Sequence, residues 1–183
     1  MQLKEAIQIC LTYLGDEDAS INTQTAQHPK LKILVKCANL VIKEIAGEYL
    51  PLLEEEEVEA QDGKIYFEGL LHKVLEVRKV VDLDSSLTSD FYHTPTHCQL
   101  LNDGVKRARI VYSYMPLDID IEEECPLPPL VTAKTLALGI CAEYSMISGM
   151  YEQSVMYSDR FKQDMRTAVR KKGEIKIKPR RWY

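Results

Sequence analysis

The sequence predicts an α+β fold: a four-helix bundle with an inserted small antiparallel β-sheet and a C-terminal extended strand arm. Apolar residues recur at helical spacing near both ends of the chain. The middle of the chain instead alternates apolar and polar residues between tight-turn signals. We therefore expect a helical bundle from residues 1–51 and 126–173, an inserted β region with an acidic loop at 52–125, and a basic C-terminal arm at 174–183.

Four segments carry the apolar stripe of an amphipathic helix. The first covers residues 2–14, and the second runs from Pro29, which the first turn of a helix tolerates, to Leu50. The third follows a proline cluster after the acidic loop and ends before Gly149. The fourth covers about residues 150–172 and ends in basic residues, which interact favourably with the helix dipole.

The middle region has the features of a small sheet. Asp62-Gly63 is a two-residue hairpin signal, and a second turn cluster lies at Asn102–Gly104. The glutamate-rich run that precedes the first turn is interpreted as a solvated charge run. The predicted strands are Lys64–Glu68, Val74–Asp82, His97–Leu101 and Lys106–Tyr114.

Charge is distributed unevenly along the chain, although the formal net charge is only -5. Residues 160–183 hold ten basic side chains and two acidic ones, while the other 159 residues hold 13 basic and 26 acidic ones. An acidic body with a basic tail favours contact with an acidic neighbour, or contact of the tail with nucleic acid. In the tail, Ile175 and Ile177 alternate with lysines as in a strand, so the tail needs an edge to pair with.

Composition excludes several protein classes. A hydrophobic content of 45% with only eight Gly and eight Pro is untypical of disordered or collagen-like chains. No stretch approaches the roughly 20 apolar residues that span a bilayer, and the N-terminus has no signal-peptide core. We expect a soluble protein made in a cytoplasm, with five reduced and buried thiols, since no cysteines form a C-x-x-C pair.

The residues give little support for catalysis or metal binding. His93, His97 and Cys98 could form a metal site, but Pro95 breaks the helical spacing that zinc ligands use. The acidic runs lack the ligand alternation of a calcium loop. There is no phosphate loop, dinucleotide fingerprint or nucleophile elbow, so we expect no enzyme activity and no cofactor.

Four segments of the sequence occur in a recognisable order: LKEAIQICLTYLG at the start, the helix running into EYLPL, the block LPPLVTAKTLALGICAEYSMISGMYEQSVMYSDRFKQDMRTAVRKK, and the ending IKIKPRRWY. In these segments and their order, nearly the whole chain resembles the head-to-tail adaptor proteins of tailed bacteriophages. These include the tail tubular protein A type of short-tailed phages and the connector proteins of long-tailed ones.

The resemblance implies a non-enzymatic virion protein at the head-tail connection, synthesised in the host cytoplasm. Adaptors of this family form a ring, commonly of twelve copies, beneath the portal of the capsid. The implied partners are further copies of the chain, the portal protein, and a tail or stopper protein. Genomic DNA passes through the channel without sequence-specific binding, and no membrane is involved.

We assign candidate binding residues on this basis. The subunit-interface anchors are Tyr151, Tyr157 and Phe161 on the fourth helix. The predicted portal-binding arm consists of Ile175, Lys176, Ile177, Lys178, Arg180, Arg181 and Trp182.

An alternative function is that of a small regulatory or nucleic-acid-binding protein whose basic tail binds phosphates. Such a protein would bind DNA with a steep salt dependence.

Overall fold

The computed structural model describes residues 1–16 and 29–170 of the chain. These residues form four α-helices and six β-strands, which confirms the α+β class. A π-helical turn, Ile45–Tyr49, extends the second helix. In chain order the elements are α1 (Leu3–Tyr13), α2 (Pro29–Glu44), β1 (Leu52–Glu59), β2 (Lys64–Tyr66), β3 (Val74–Asp82), β4 (Phe91–His93), β5 (His97–Leu100), β6 (Arg107–Tyr114), α3 (Ala133–Ile147) and α4 (Tyr151–Val169).

The prediction of a four-helix bundle is wrong, and the position of α3 explains why. Each helix of such a bundle buries one stripe of its surface. In α3 every residue from 135 to 142 is buried, so this part of the helix is covered on all sides. The other three described helices pack against it, while α1 and α2 make few contacts with each other. The strands also separate α2 from α3 along the chain.

Close packing of α3 depends on two small features of its sequence. Thr132 caps the helix, since its side-chain oxygen accepts a hydrogen bond from the Thr135 N–H at 3.2 Å. The helix therefore begins after the proline cluster and not within it. Gly139 lies against α2, where a Cβ atom would be 2.5 Å from Cγ1 of Val41. This glycine allows the two helices to approach closely.

The described strands form two antiparallel sheets instead of the single small sheet predicted. One has the strand order β1-β6-β3, and the other has the order β2-β5-β4. The two sheets share one hydrophobic core, to which Ile110 and Val80 contribute from the first sheet and Ile65 and Leu100 from the second. This core is separate from the core of the helices.

The turn predicted at Asp62-Gly63 is confirmed, and it connects the two sheets. Both residues have positive φ, 51° and 70°, as the mirror-image hairpin turn requires. Gln61 and Lys64 pair across the turn. The chain thereby passes from β1 in the first sheet to β2 in the second.

Glu44, the last residue of α2, has an environment that disfavours its charge. Partial burial raises the pKa of this carboxyl above its ordinary value, and the carboxylates of Glu48 and Glu143 raise it further, whereas Lys162 lowers it. The charged form therefore destabilises the folded state at any pH above the raised pKa. This penalty disappears as the pH falls below the ordinary pKa of the unfolded chain, because Glu44 is then protonated in both states.

We expect Glu44→Gln to raise the free energy of unfolding at pH 7, because the substitution removes a disfavoured charge. The gain should shrink toward zero as the pH is lowered through the titration range of the carboxyl. Urea denaturation across this pH range measures both effects. Glu48→Gln, at an exposed position of the π-helical turn, serves as a control with a smaller expected gain. A loss of stability at pH 7 for Glu44→Gln would contradict this interpretation.

Candidate interaction surfaces

An exposed apolar patch lies where α3 passes into α4. Met146 and Ile147 end α3, and Tyr151 and Val155 share a face of the first turns of α4. Each of these four side chains is more than half exposed. Gly149, with φ of +77°, forms the tight connection that brings the two helix ends together. We call these four residues the corner patch. Single exposed apolar residues are ordinary, whereas several close together make a surface a candidate for interaction.

The three predicted interface anchors have different positions on α4. Tyr151 belongs to the corner patch and is 65% exposed, whereas Tyr157 and Phe161 are buried within their own subunit. The Tyr157 hydroxyl donates a hydrogen bond of 2.9 Å to the carbonyl of Tyr13, and its ring stacks on the ring of Tyr13. The Phe161 ring packs edge-on against Tyr49. Tyr157 and Phe161 thus hold α4 in place and offer little surface to a neighbouring subunit.

A first acidic surface is formed by β1, which the sequence analysis interpreted as a solvated charge run and not as a strand. Its glutamates point alternately to opposite faces of the sheet. On the exposed face, the Arg109 guanidinium on β6 lies 3.3 Å from a carboxylate oxygen of Glu55 and 2.9 Å from one of Glu57. Exposed pairs of this kind contribute little to stability. Here they partly neutralise a negative surface.

The glutamates on the other face of β1 have a structural role. Glu56 accepts hydrogen bonds from the Tyr112 hydroxyl and from the backbone N–H of Leu71, the latter at 3.0 Å. The backbone N–H of His72 donates to the same hydroxyl at 3.3 Å. Burial raises the pKa of Tyr112, and the hydrogen bond to Glu56 raises it further by a smaller amount. Glu56 and Tyr112 therefore fix the segment that precedes β3.

A second acidic surface is the loop between β6 and α3, of which residues 118–124 carry five carboxylates. The loop is bound to the helices and not to the sheets. The buried side chain of Asn39 on α2 accepts a hydrogen bond from the Ile119 N–H at 2.9 Å and donates one to the Ile119 carbonyl at 3.0 Å. The backbone N–H of Leu3 donates to the carbonyl of Glu123, and that of Cys125 to the carbonyl of Met1.

This loop therefore packs with the helical unit, whereas the sequence analysis grouped it with the β region. Ile119 and Ile121 pack against the helical core, and Cys125 is part of it. The carboxylates of Asp118 and Glu122 remain largely exposed, although they form ion pairs with Lys43 and Lys4. Sequence reasoning missed the role of Asn39. The sequence feature that indicates this role is the position of Asn39, a polar residue, on the apolar stripe of an amphipathic helix.

The residues considered as a metal site do not converge. His97 and Cys98 are consecutive in β5 and therefore point to opposite faces of the strand, with Cys98 in the core of the sheets. The Nδ1 atom of His97 lies 2.9 Å from the Thr94 hydroxyl oxygen, and the ring of His93 packs on Phe67. Residues 1–16 and 29–170 contain no group of three side chains placed to ligate a metal ion.

The predicted portal-binding arm, residues 174–183, lies outside the described residues. None of the helices within the described part of the chain is long and apolar enough to cross a bilayer. Comparison with protein-family models gives no match for this sequence, and comparison with curated proteins gives none either.

Proposed function

We propose that this chain is a structural virion protein, a head-to-tail adaptor that forms a ring between the capsid portal and the tail. The observation that carries the proposal is the corner patch, because a ring subunit needs an exposed apolar surface that is not used by its own fold. The order of elements in the sequence, which resembles that of phage adaptors, supports the same function. The work of the protein in this proposal is binding, without a chemical step.

The acidic surfaces fit a channel through which genomic DNA passes. The exposed carboxylates of β1 and of the loop between β6 and α3 belong to elements separate from the corner patch. DNA binds proteins largely through cations that replace its counterions. A surface of carboxylates offers no such gain, so DNA can move past it without being retained. In this arrangement the corner patch makes contacts between subunits and the carboxylates face the DNA.

A mixture of the purified chain with the portal protein of the same phage tests the proposal. Electron microscopy of the mixture should show a second ring stacked on the portal. Twelve copies of the 21.0 kDa chain would add about 250 kDa to the portal complex. A mixture in which the two proteins stay separate at micromolar concentrations would contradict the proposal.

Val155→Glu is expected to weaken ring formation without unfolding the subunit. Val155 is 59% exposed, so the substitution should change the free energy of unfolding by about 0.5 kcal/mol or less. In a ring, however, the new carboxylate would be buried without a partner at every contact, at a cost of about 2 kcal/mol each. We expect at least a tenfold lower yield of stacked rings by electron microscopy.

Gln163→Glu is the matched control for this variant. It adds the same charge at an exposed position of the same helix, two turns beyond the corner patch. We expect it to form rings as the unmodified chain does. Equal ring yields for Val155→Glu and the unmodified chain would remove the corner patch from the proposed interface.

Deletion of residues 174–183 is expected to abolish binding to the portal while the subunit remains folded. The basic side chains and alternating isoleucines of this segment suit the addition of a strand to an exposed sheet edge of another protein. Pull-down with the portal measures binding, and circular dichroism measures folding. A full-length variant with Lys176, Lys178, Arg180 and Arg181 replaced by glutamine separates the effect of charge from that of length. Unchanged portal binding by the shortened chain would contradict this assignment.

A further inference from the structure

Two thiols meet at the contact between the first and third helices. The Sγ atoms of Cys10 on α1 and Cys141 on α3 are 3.0 Å apart, although 131 residues separate them along the chain. Both side chains are fully buried. The structure places the five cysteines, each within the described residues, as free thiols. These two sulfur atoms are thus held against each other by the packing of two helices.

The local sequence explains the close approach. Leu3, Ile7 and Cys10 form the stripe that α1 presents to the helical core, so the Cys10 side chain points toward α3. Cys141 lies in the part of α3 that is buried on all sides. A disulfide bond has an S–S length of about 2.05 Å, so the sulfur atoms must move together by about 1 Å to form one.

We propose that Cys10 and Cys141 form a disulfide bond when the protein meets a two-electron thiol oxidant, and that this bond fixes α1 to α3. The inference does not depend on the adaptor proposal. With hydrogen peroxide as the oxidant, one thiolate attacks the peroxide, the O–O bond breaks, and a sulfenic acid and water form. The second thiol attacks the sulfenic sulfur and releases another water. In total, two thiols and one peroxide give one disulfide and two waters.

The environment of the pair makes the reaction slow and specific. The hydrogen bond with Cys141 and burial both raise the pKa of Cys10, so little thiolate is present near neutral pH. Burial likewise raises the pKa of Cys37, Cys98 and Cys125 to about 11. Cys98 lies in the core of the sheets, a different core from that of the pair. Contact between the sulfur atoms, and not high reactivity of one thiol, therefore selects the Cys10–Cys141 pair.

The bond would fix more than one helix. The backbone N–H of Leu3, at the start of α1, donates to the carbonyl of Glu123, and the carbonyl of Met1 accepts from the N–H of Cys125. The acidic loop is thus bound to the N-terminal helix. A covalent link from α1 to α3 also closes a long loop of chain, which restricts the unfolded state more than a short loop does.

Oxidation of the reduced full-length chain with diamide tests the proposal. Diamide accepts the same two electrons and two protons as peroxide and leaves methionine unchanged. We expect the number of thiols that react under denaturing conditions to fall from five to three, and the intact mass to fall by about 2 Da. Mass spectrometry of a tryptic digest should show residues 5–30 joined to residues 135–160. Tm should rise by roughly 5–15 °C on oxidation.

Serine variants complete the test. Cys10→Ser and Cys141→Ser should each lose the joined peptides, whereas Cys98→Ser, the matched control, should keep them. The peptide map of the unmodified chain decides the outcome even where a core serine prevents folding. Five free thiols after prolonged oxidation, or a bond from Cys10 to another cysteine, would overturn the proposal. An unchanged Tm in the cross-linked chain would overturn the claim that the bond fixes α1.

Discussion

Asn39→Ala is expected to lower the free energy of unfolding by about 2–4 kcal/mol. The side chain of Asn39 forms two hydrogen bonds with the backbone of Ile119, and both groups lie in partly buried surroundings. Alanine removes both bonds and leaves the N–H and C=O groups of Ile119 without these partners. Because Ile119 packs against the helical core, water reaches these groups poorly. Urea denaturation followed by circular dichroism measures the loss.

Lys43→Ala is the matched control for Asn39→Ala. Lys43 lies on the same helix and binds the same loop, since its Nζ atom is 2.5 Å from a carboxylate oxygen of Asp118. Both of these side chains are more than a third exposed, so we expect a loss of less than about 1 kcal/mol. Equal losses for the two variants would show that the buried amide is no more important than an exposed ion pair. That result would contradict the role assigned to Asn39.

Gly139→Ala is expected to destabilise the protein by up to about 2 kcal/mol, although alanine favours helices. The gain in helix propensity is about 1 kcal/mol. The new Cβ atom, however, would lie 2.5 Å from Cγ1 and 3.2 Å from Cγ2 of Val41, and 3.3 Å from Cδ2 of Phe161. Valine is stiff about its first side-chain torsion, so α2 and α3 must separate, and overpacking of this kind costs about 1–3 kcal/mol.

Two further variants test the cause of this loss. Gly47→Ala, in the π-helical turn, should be neutral or stabilising, because its Cβ would meet only the Cε atom of Met115, at 3.8 Å. In a Val41→Ala background, Gly139→Ala should cost much less, since the clashing methyl groups are gone. The unfolding free energies of the unmodified chain, Val41→Ala, Gly139→Ala and the double variant together measure the coupling between positions 41 and 139. No coupling between positions 41 and 139 would contradict the steric explanation.

The helices were predictable from local patterns, because a helix is specified by residues three and four apart. The predicted segments 2–14 and 150–172 correspond to α1 and α4. The arrangement of the helices was not predictable in the same way. The burial of α3 on all sides depends on the other helices that surround it, and a single apolar stripe was assumed for it. The bundle prediction failed at that step.

The strands and the interface anchors show a similar limit. β1 was missed because glutamate has a low strand propensity, and the strand is formed by pairing with β6, about 50 residues away in the chain. Non-local pairing also decides that there are two sheets. On α4, aromatic residues at helical spacing fit a core or an interface equally well. Only the contacts of Tyr157 and Phe161 with Tyr13 and Tyr49 place these two in the core.

The four consecutive glutamates of β1 have a consequence for how the strand aligns with β6. A slip of one residue normally moves apolar side chains to the solvent face and is therefore strongly disfavoured. Within Glu54–Glu57 such a slip puts another glutamate in three of the four positions, so these residues specify the alignment only weakly. The apolar residues Leu52 and Val58 at the two ends of the strand and the Tyr112 hydroxyl must select it. The four side chains are equivalent in chemistry, and the residues around them decide that Glu54 and Glu56 are the half-buried pair.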